Sequence, residues 1–203
     1  MSYASTTPRK KSNSTLWIIL ALVFGTIFLG MVLLVVGAVF MVGKARGDSD
    51  TLKSVSDKGG LFTLQVPENW NPLSGADANP DAELTMANIF GERYVQVIAE
   101  KKSELAAILP PNAKDEWLAN YNEAFKSSIS AQFRGSTEVV MEGSGLPAIR
   151  HEIFLKDTVE VYSWIYVVEG KDHFYQVNVW TLNSMRAENE PRLEKVAHSF
   201  REN

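Results

Sequence analysis

The 203-residue chain has no cysteine, which excludes a disulfide scaffold, makes a structural zinc site improbable and removes lipoprotein attachment through a cysteine. Histidine is scarce: His151, His173 and His198 are the three, and none belongs to an H-E-x-x-H pair. Gly143-Ser144-Gly145 lacks the spacing of a nucleophile elbow and reads as a turn, and no glycine-rich phosphate loop opens a helix. Basic runs are missing from the C-terminal part. From Thr51 onward, 15 Lys and Arg face 22 Asp and Glu, a net charge of −7. Such a balance argues against nucleic-acid binding, where phosphate neutralisation dominates affinity, and is weakly repelled by anionic lipid. No cofactor or metal is expected from these residues.

One stretch lacks charge altogether. Leu16 to Val42 is 27 residues of apolar sequence, 18 of them Leu, Ile, Val or Phe. As a helix it would reach about 40 Å, against about 30 Å for the hydrocarbon core of a bilayer. Its insertion is favourable by on the order of 5–10 kcal/mol, an upper bound because the ends count less. A buried soluble helix of that length should show a polar face, and none is present. A cleaved signal peptide is shorter and ends at a small-x-small site, whereas Val36 and Val39 flank Gly37 and Ala38 here. The segment therefore reads as a permanent transmembrane helix over 15–43. Arg9, Lys10 and Lys11 precede it, and Lys44 and Arg46 follow it. With a short basic tail on one side and the bulk of the chain on the other, the expected topology is N-terminus cytoplasmic and C-terminal domain extracytoplasmic, in the cell membrane. Ala21/Gly25 and Thr26/Gly30 are small residues four apart, a spacing that permits a homo-oligomer through the span.

The remaining organisation is simple. Residues 1–14 read as a disordered cytosolic tail, 44–60 as a flexible linker rich in Gly, Ser, Asp and Lys, and 61–203 as one domain. Leu61 to Val66 alternates with period two and ends at Pro67. Glu83–Ile89 and Arg93–Glu100 predict two strands, the second apolar on both faces and so covered on both sides. Asn112 and Asp115 resemble a capping box ahead of a helix over Ala113–Phe133. Its stripe is Trp117, Leu118, Tyr121, Phe125, Ser128, Ile129 and Phe133, and Gly135 is its stop. Strands follow at Thr137–Glu142, Ala148–Leu155, Val159–Val168 and His173–Thr181. The last two are joined by a hairpin loop at Glu169–Asp172. A final helix, from about Ser184 to Phe200, carries Leu193, Val196 and Phe200 toward the sheet. The fold class is α+β, an antiparallel β-sheet sandwiched by helices.

Candidate chemistry is thin. Glu100, Glu152 and Glu160 lie on strands; two of them on neighbouring strands could serve as acid and base, but pairing with Arg150 or Lys156 is the plainer reading. His151 sits on an apolar strand face, as a hydrogen-bonded core histidine does. The aromatics say more. Tyr162, Trp164 and Tyr166 share one face of a strand, Phe174 and Trp180 one face of the next, and Trp70 follows the Pro67 bend. A covering helix would make these six core residues; an open face would make them a groove for a ligand or peptide.

Phe62-Thr-Leu-Gln-Val-Pro67-Glu-Asn-Trp70 resembles the opening of PsbP-like domains and their bacterial DcrB-type relatives. The block from Ala87 to Lys101 and the closing Ser199-Phe200-Arg-Glu are similar to later parts of the same group, so the resemblance covers most of 61–203. It implies an α/β/α sandwich around an antiparallel sheet, usually without enzymatic activity, in extracytoplasmic accessory or binding proteins. The photosystem II role of the best-known branch is not implied, because no residue here matches a manganese or calcium motif. The expected function is thus a single-pass, non-enzymatic domain that binds a protein partner in the cell envelope. The alternatives are a small-ligand or lipid binder using the aromatic cleft and, last, an enzyme of unknown class.

Overall fold

The computed structural model describes residues 49–73, 79–105, 117–129 and 132–203. Seven antiparallel strands form the main sheet: β3 (Asn71–Pro72), β4 (Leu84–Asn88), β5 (Arg93–Lys101), β6 (Phe133–Val140), β7 (Pro147–Lys156), β8 (Glu160–Glu169) and β9 (His173–Leu182). Their spatial order is β3-β4-β5-β9-β8-β7-β6. A second sheet of three strands has β2 (Phe62–Pro67) between β1 (Leu52–Ser56) and β10 (Arg201–Glu202). The described helices are a short α1 (Lys102–Leu105), α2 (Trp117–Ser128) and α3 (Arg186–His198). The antiparallel α+β class read from the pattern is what the molecule shows.

Alternation along the central strands builds two cores. Val95, Val97, Trp164, Tyr166, Val177 and Val179 point to one face, where α3 and the small sheet supply Leu193, Val196, Phe62 and Leu64, and Phe200 joins them from the link between α3 and β10. Tyr94, Ile98, Ile165, Val167, Phe174 and Trp180 point to the other, covered by Tyr121, Phe125 and Ile129 of α2 and the residue after it. β5 is therefore the doubly covered strand its apolar pattern predicts.

The structure departs from the sequence reading in four places. Leu52–Ser56 lies in the segment read as linker but pairs with β2 from Leu52↔Pro67 to Ser56↔Thr63. The Asp57 carboxylate holds the turn between them, accepting from the amides of Gly59 (2.7 Å) and Phe62 (3.0 Å). The described helix ends at Ser128, not Phe133. The amides of Gln132 and Phe133 turn back to the Ile129 carbonyl, and Phe133 opens β6. Gly135 is no helix stop but a strand residue beside a register shift in the β6–β7 pairing. The final helix closes at His198. Ser199 leaves it and accepts the Gln65 amide at 2.9 Å, and Arg201–Glu202 pair with Thr63 and Phe62 as a strand.

No helix among the described residues is long and apolar enough to cross a membrane. The span over 15–43, the tail over 1–14 and the capping box at Asn112 and Asp115 lie outside the described residues.

Candidate functional site

The six aromatics singled out from sequence are all buried, and they do not share a face. Trp70, Trp164 and Tyr166 are fully covered in the first core together with Tyr162, which is 7 % exposed; Phe174 and Trp180 are fully covered in the second. The hairpin register is the reason. Glu169 pairs with Phe174, so even residues of β8 share a side with odd residues of β9, and Trp164 lies opposite Val179. Of the two readings, covered core or open groove, the six side chains show the covered one, in two packed layers with Tyr94 stacked on Trp180 (5.2 Å) and Tyr121 on Phe174 (4.6 Å).

Where the first layer meets solvent, it is rimmed by charge. The Arg186 guanidinium sits 3.7 Å above the Tyr162 ring, and Arg186 and Arg150 each lie 5.8 Å from the Trp164 ring. Arg150 donates to Glu152 (2.7 Å) and Glu190 (2.9 Å) and pairs with Glu194 (3.0 Å). Arg186 donates to Glu190 at 3.1 Å, and the Tyr162 hydroxyl donates to Glu152 at 2.8 Å. Burial, then the bond to Glu152, pushes the Tyr162 phenol up. Two arginines and three carboxylates from β7 and α3 so form a closed network over the aromatic edge, clamping the helix to the sheet.

The second face carries buried polar groups among apolar ones. Tyr121 donates to Glu100, and Gln176 Nε2 donates to the Tyr121 hydroxyl at 2.6 Å. Burial raises the Glu100 carboxyl, against the lowering influence of these bonds. His151 lies 2.8 Å from Asn122 Oδ1; since Asn122 Nδ2 donates to the Leu118 carbonyl, His151 Nε2 is the donor. Burial, then Lys126, lowers His151 to about 4. This is the core histidine the sequence predicts.

These placements do not assemble an acid–base pair. Glu152 pairs across the strands with Trp164 of the first face, whereas Glu100 bonds to Tyr121 on the second, so the sheet separates them. Glu152 and Glu160 are partnered by Arg150 and Lys156, the latter at 3.6 Å, as the plainer reading holds. Among the described residues no group of three His, Asp or Glu side chains could hold a metal ion.

Two surface features escaped the sequence reading. A groove of about 530 Å³ runs between β1–β2 and α3, lined by Leu52, Pro67 and Val196 with Arg192 and Lys195. The turn joining β4 to β5 exposes Ile89 (39 %) and Phe90 (49 %). It is held in shape: Asn88 Oδ1 accepts the Gly91 amide at 3.0 Å, Glu92 takes the left-handed conformation (φ 54°), and Asn189 Nδ2 donates to the Gly91 carbonyl at 2.9 Å. The sequence places Phe90-Gly91-Glu92 at the join of two strands, which marks the turn but not the exposure of its apolar side chains.

Comparison with known proteins fixes the family and the fold. The PsbP family model matches residues 50–202. A cyanobacterial PsbP from Synechocystis sp. PCC 6803 is similar in structure, with a TM-score of 0.50 at 12 % identity over 79 % of this chain and 98 % of that one. A protein from Bacteroides thetaiotaomicron gives a TM-score of 0.51 at 10 % identity over 78 % of this chain and 49 % of its own. No curated protein sequence matches the chain. With three-quarters of its length matched, and the antiparallel sheet and flanking helices in place, this chain belongs to the PsbP family.

Proposed function

We propose that this protein is a membrane-tethered, non-catalytic binding or accessory domain of the cell envelope. Its folded part works as a rigid recognition body held beside the membrane by the apolar segment Leu16–Val42. One observation carries the reading: a PsbP-family domain begins at residue 50, immediately after a stretch long and apolar enough to cross a bilayer. The packing supports a scaffold role. The side chains most suited to chemistry are engaged with one another, as Arg150 with Glu152, Glu190 and Glu194, and Tyr121 with Glu100 and Gln176. Tethering raises the local concentration of such a body at the surface to about the millimolar range, so a weak contact with an envelope protein suffices for stable association.

The topology is N-terminus cytoplasmic and domain extracytoplasmic, and an oligomer through the span is compatible with it. The small-ligand reading is not favoured, because its six aromatics are buried on two opposite faces. Protease added to right-side-out membrane vesicles tests the proposal. The account expects the domain to be digested from outside while a tag at the N-terminus stays protected; protection of the domain with exposure of the tag overturns the topology. Cross-linking in the same membranes should join the full chain to a neighbouring envelope protein. Turnover of a substrate that is lost in Glu100→Gln with the fold intact would contradict the non-catalytic assignment.

A further inference from the structure

We infer that the end of the domain bearing Leu52, Ile89 and Phe90 rests in the interfacial layer of the membrane that holds the chain, so that the protein is oriented as well as tethered. Exposed large apolar side chains are few among the described residues: Leu52 (59 %), Ile89, Phe90 and Val140. Three of the four gather at one end. Leu52 pairs with Pro67, the Glu68 amide donates to the Thr51 carbonyl at 2.8 Å, and the Ser49 amide donates to Asn69 Oδ1 at 3.1 Å. Two residues on, Asn71 pairs with Ala87, and the strand then runs through Asn88 into the Ile89–Phe90 turn. Val140 closes β6 opposite Pro147, at the far end of the sheet.

The length of chain before Ser49 decides which end faces the bilayer. Because the folded part is already anchored at Ser49, six residues, 43–48, separate it from Val42. Seven Cα steps span at most about 25 Å in any conformation. The ten-residue strands β8 and β9 are each about 33 Å long. A connection that short cannot run back along the molecule to bring the Val140 end to the lipid. With a headgroup layer about 5–7 Å thick, the connection keeps the Ser49 end within about 20 Å of the bilayer surface, nearer than any other end of the domain. The apolar tip there is held in shape. Glu92 sits in its strained left-handed turn with its carboxylate accepting from the Tyr94 hydroxyl at 3.0 Å, and Asn189 holds Gly91 from α3. Lys53 Nζ donates to the carbonyls of Glu68 (2.8 Å) and Trp70 (2.6 Å), and the exposed charges beside Leu52 are of both signs, Asp50 and Glu68 against Arg192 and Lys195. The contact is made by the apolar side chains and does not depend on anionic lipid.

The inference rests on the tether proposed above, and the test separates the two. The natural absence of cysteine allows single-site labelling. The full chain carrying Phe90→Cys or Val140→Cys, each labelled with an environment-sensitive fluorophore, is reconstituted into phosphatidylcholine vesicles spin-labelled near the top of the acyl chain. The label at 90 should lose about half its emission, since an interfacial side chain lies about 5–10 Å below the headgroups, and the label at 140 should lose none. A label at Leu52→Cys should be quenched likewise, and less so when Ile89 and Phe90 are both changed to Ser. Equal quenching at 90 and 140, or none at 90 in chains that float with the vesicles, overturns the orientation and leaves the tether standing. Chains that fail to float remove the tether and the inference with it.

Discussion

Arg93 and Asn189 stand 96 positions apart and meet in the core, the arginine Nε donating to the asparagine Oδ1 at 2.7 Å. Both side chains are fully buried, and Asn189 also donates to Thr181 Oγ1 (2.8 Å) and the Gly91 carbonyl. Glu188, half exposed, caps the arginine at 3.0 Å. One asparagine thus fastens the start of α3 to β5, β9 and the β4–β5 turn. Asn189→Ala should cost about 3 kcal/mol in urea unfolding, because it leaves a buried charge short of an acceptor. Glu188→Gln, at a solvated position, should cost less than about 1 kcal/mol.

The neutral, buried His151 makes stability fall with acid. Its folded value of about 4 lies below the ordinary 6.5, so the unfolded chain takes up the proton first. The contribution is complete above pH 6.5 and is lost as the pH falls from there to about 4, by roughly 3 kcal/mol at most. Glu100 has the opposite sign: its raised carboxyl favours the folded state at low pH, and that contribution is lost as the pH rises through its folded value. Unfolding free energy measured from pH 7.5 to 4 should therefore show a shallower acid loss in His151→Gln than in the parent, and a steeper one in Glu100→Gln.

At Gly143 the turn after β6 passes so close to the end of α3 that a Cβ would lie 2.6 Å from the carbonyl oxygens of Ser199 and Phe200. Its amide donates to the His198 carbonyl at 2.7 Å, which holds the two segments together. The obstructing atoms are backbone and cannot rotate aside. Gly143→Ala should destabilise by about 1–3 kcal/mol, read as a lowered urea midpoint with an unchanged slope.

If the aromatic layer is core rather than a ligand site, substitution there must cost stability in the absence of any ligand. Trp164→Ala should lose about 3–5 kcal/mol. Arg186 and Tyr162, at 3.7 Å, should show a coupling of about 1 kcal/mol in a double-mutant cycle. An additive pair would mean the stack contributes nothing.

Much of the fold is legible in the chain because its strands alternate strongly. β5 shows two apolar faces, β2 alternates up to Pro67, and the hairpin loop before His173 is short and contains glycine. β1 was hidden by composition. Leu52-Lys-Ser-Val-Ser is an edge strand with exposed side chains and carries too little apolar pattern to be told from a linker. The Gly135 irregularity mimicked a helix stop because glycine serves both roles. The faces of β8 and β9 are legible strand by strand, but which faces coincide depends on the Glu169↔Phe174 pairing, a property of the turn. The turn at Phe90-Gly91-Glu92 is legible between its two strands, but the exposure of Ile89 and Phe90 is not, since the pattern does not say which apolar residues near a turn are covered.

In the proposed function a permanent apolar anchor holds this PsbP-family domain at the membrane. Alkaline carbonate extraction of membranes containing the full chain, followed by intact-mass measurement, tests it most directly. The account predicts that the chain stays in the pellet with residues Leu16–Val42 still attached. Release into the wash, or a mature form that starts beyond Val42, would contradict it.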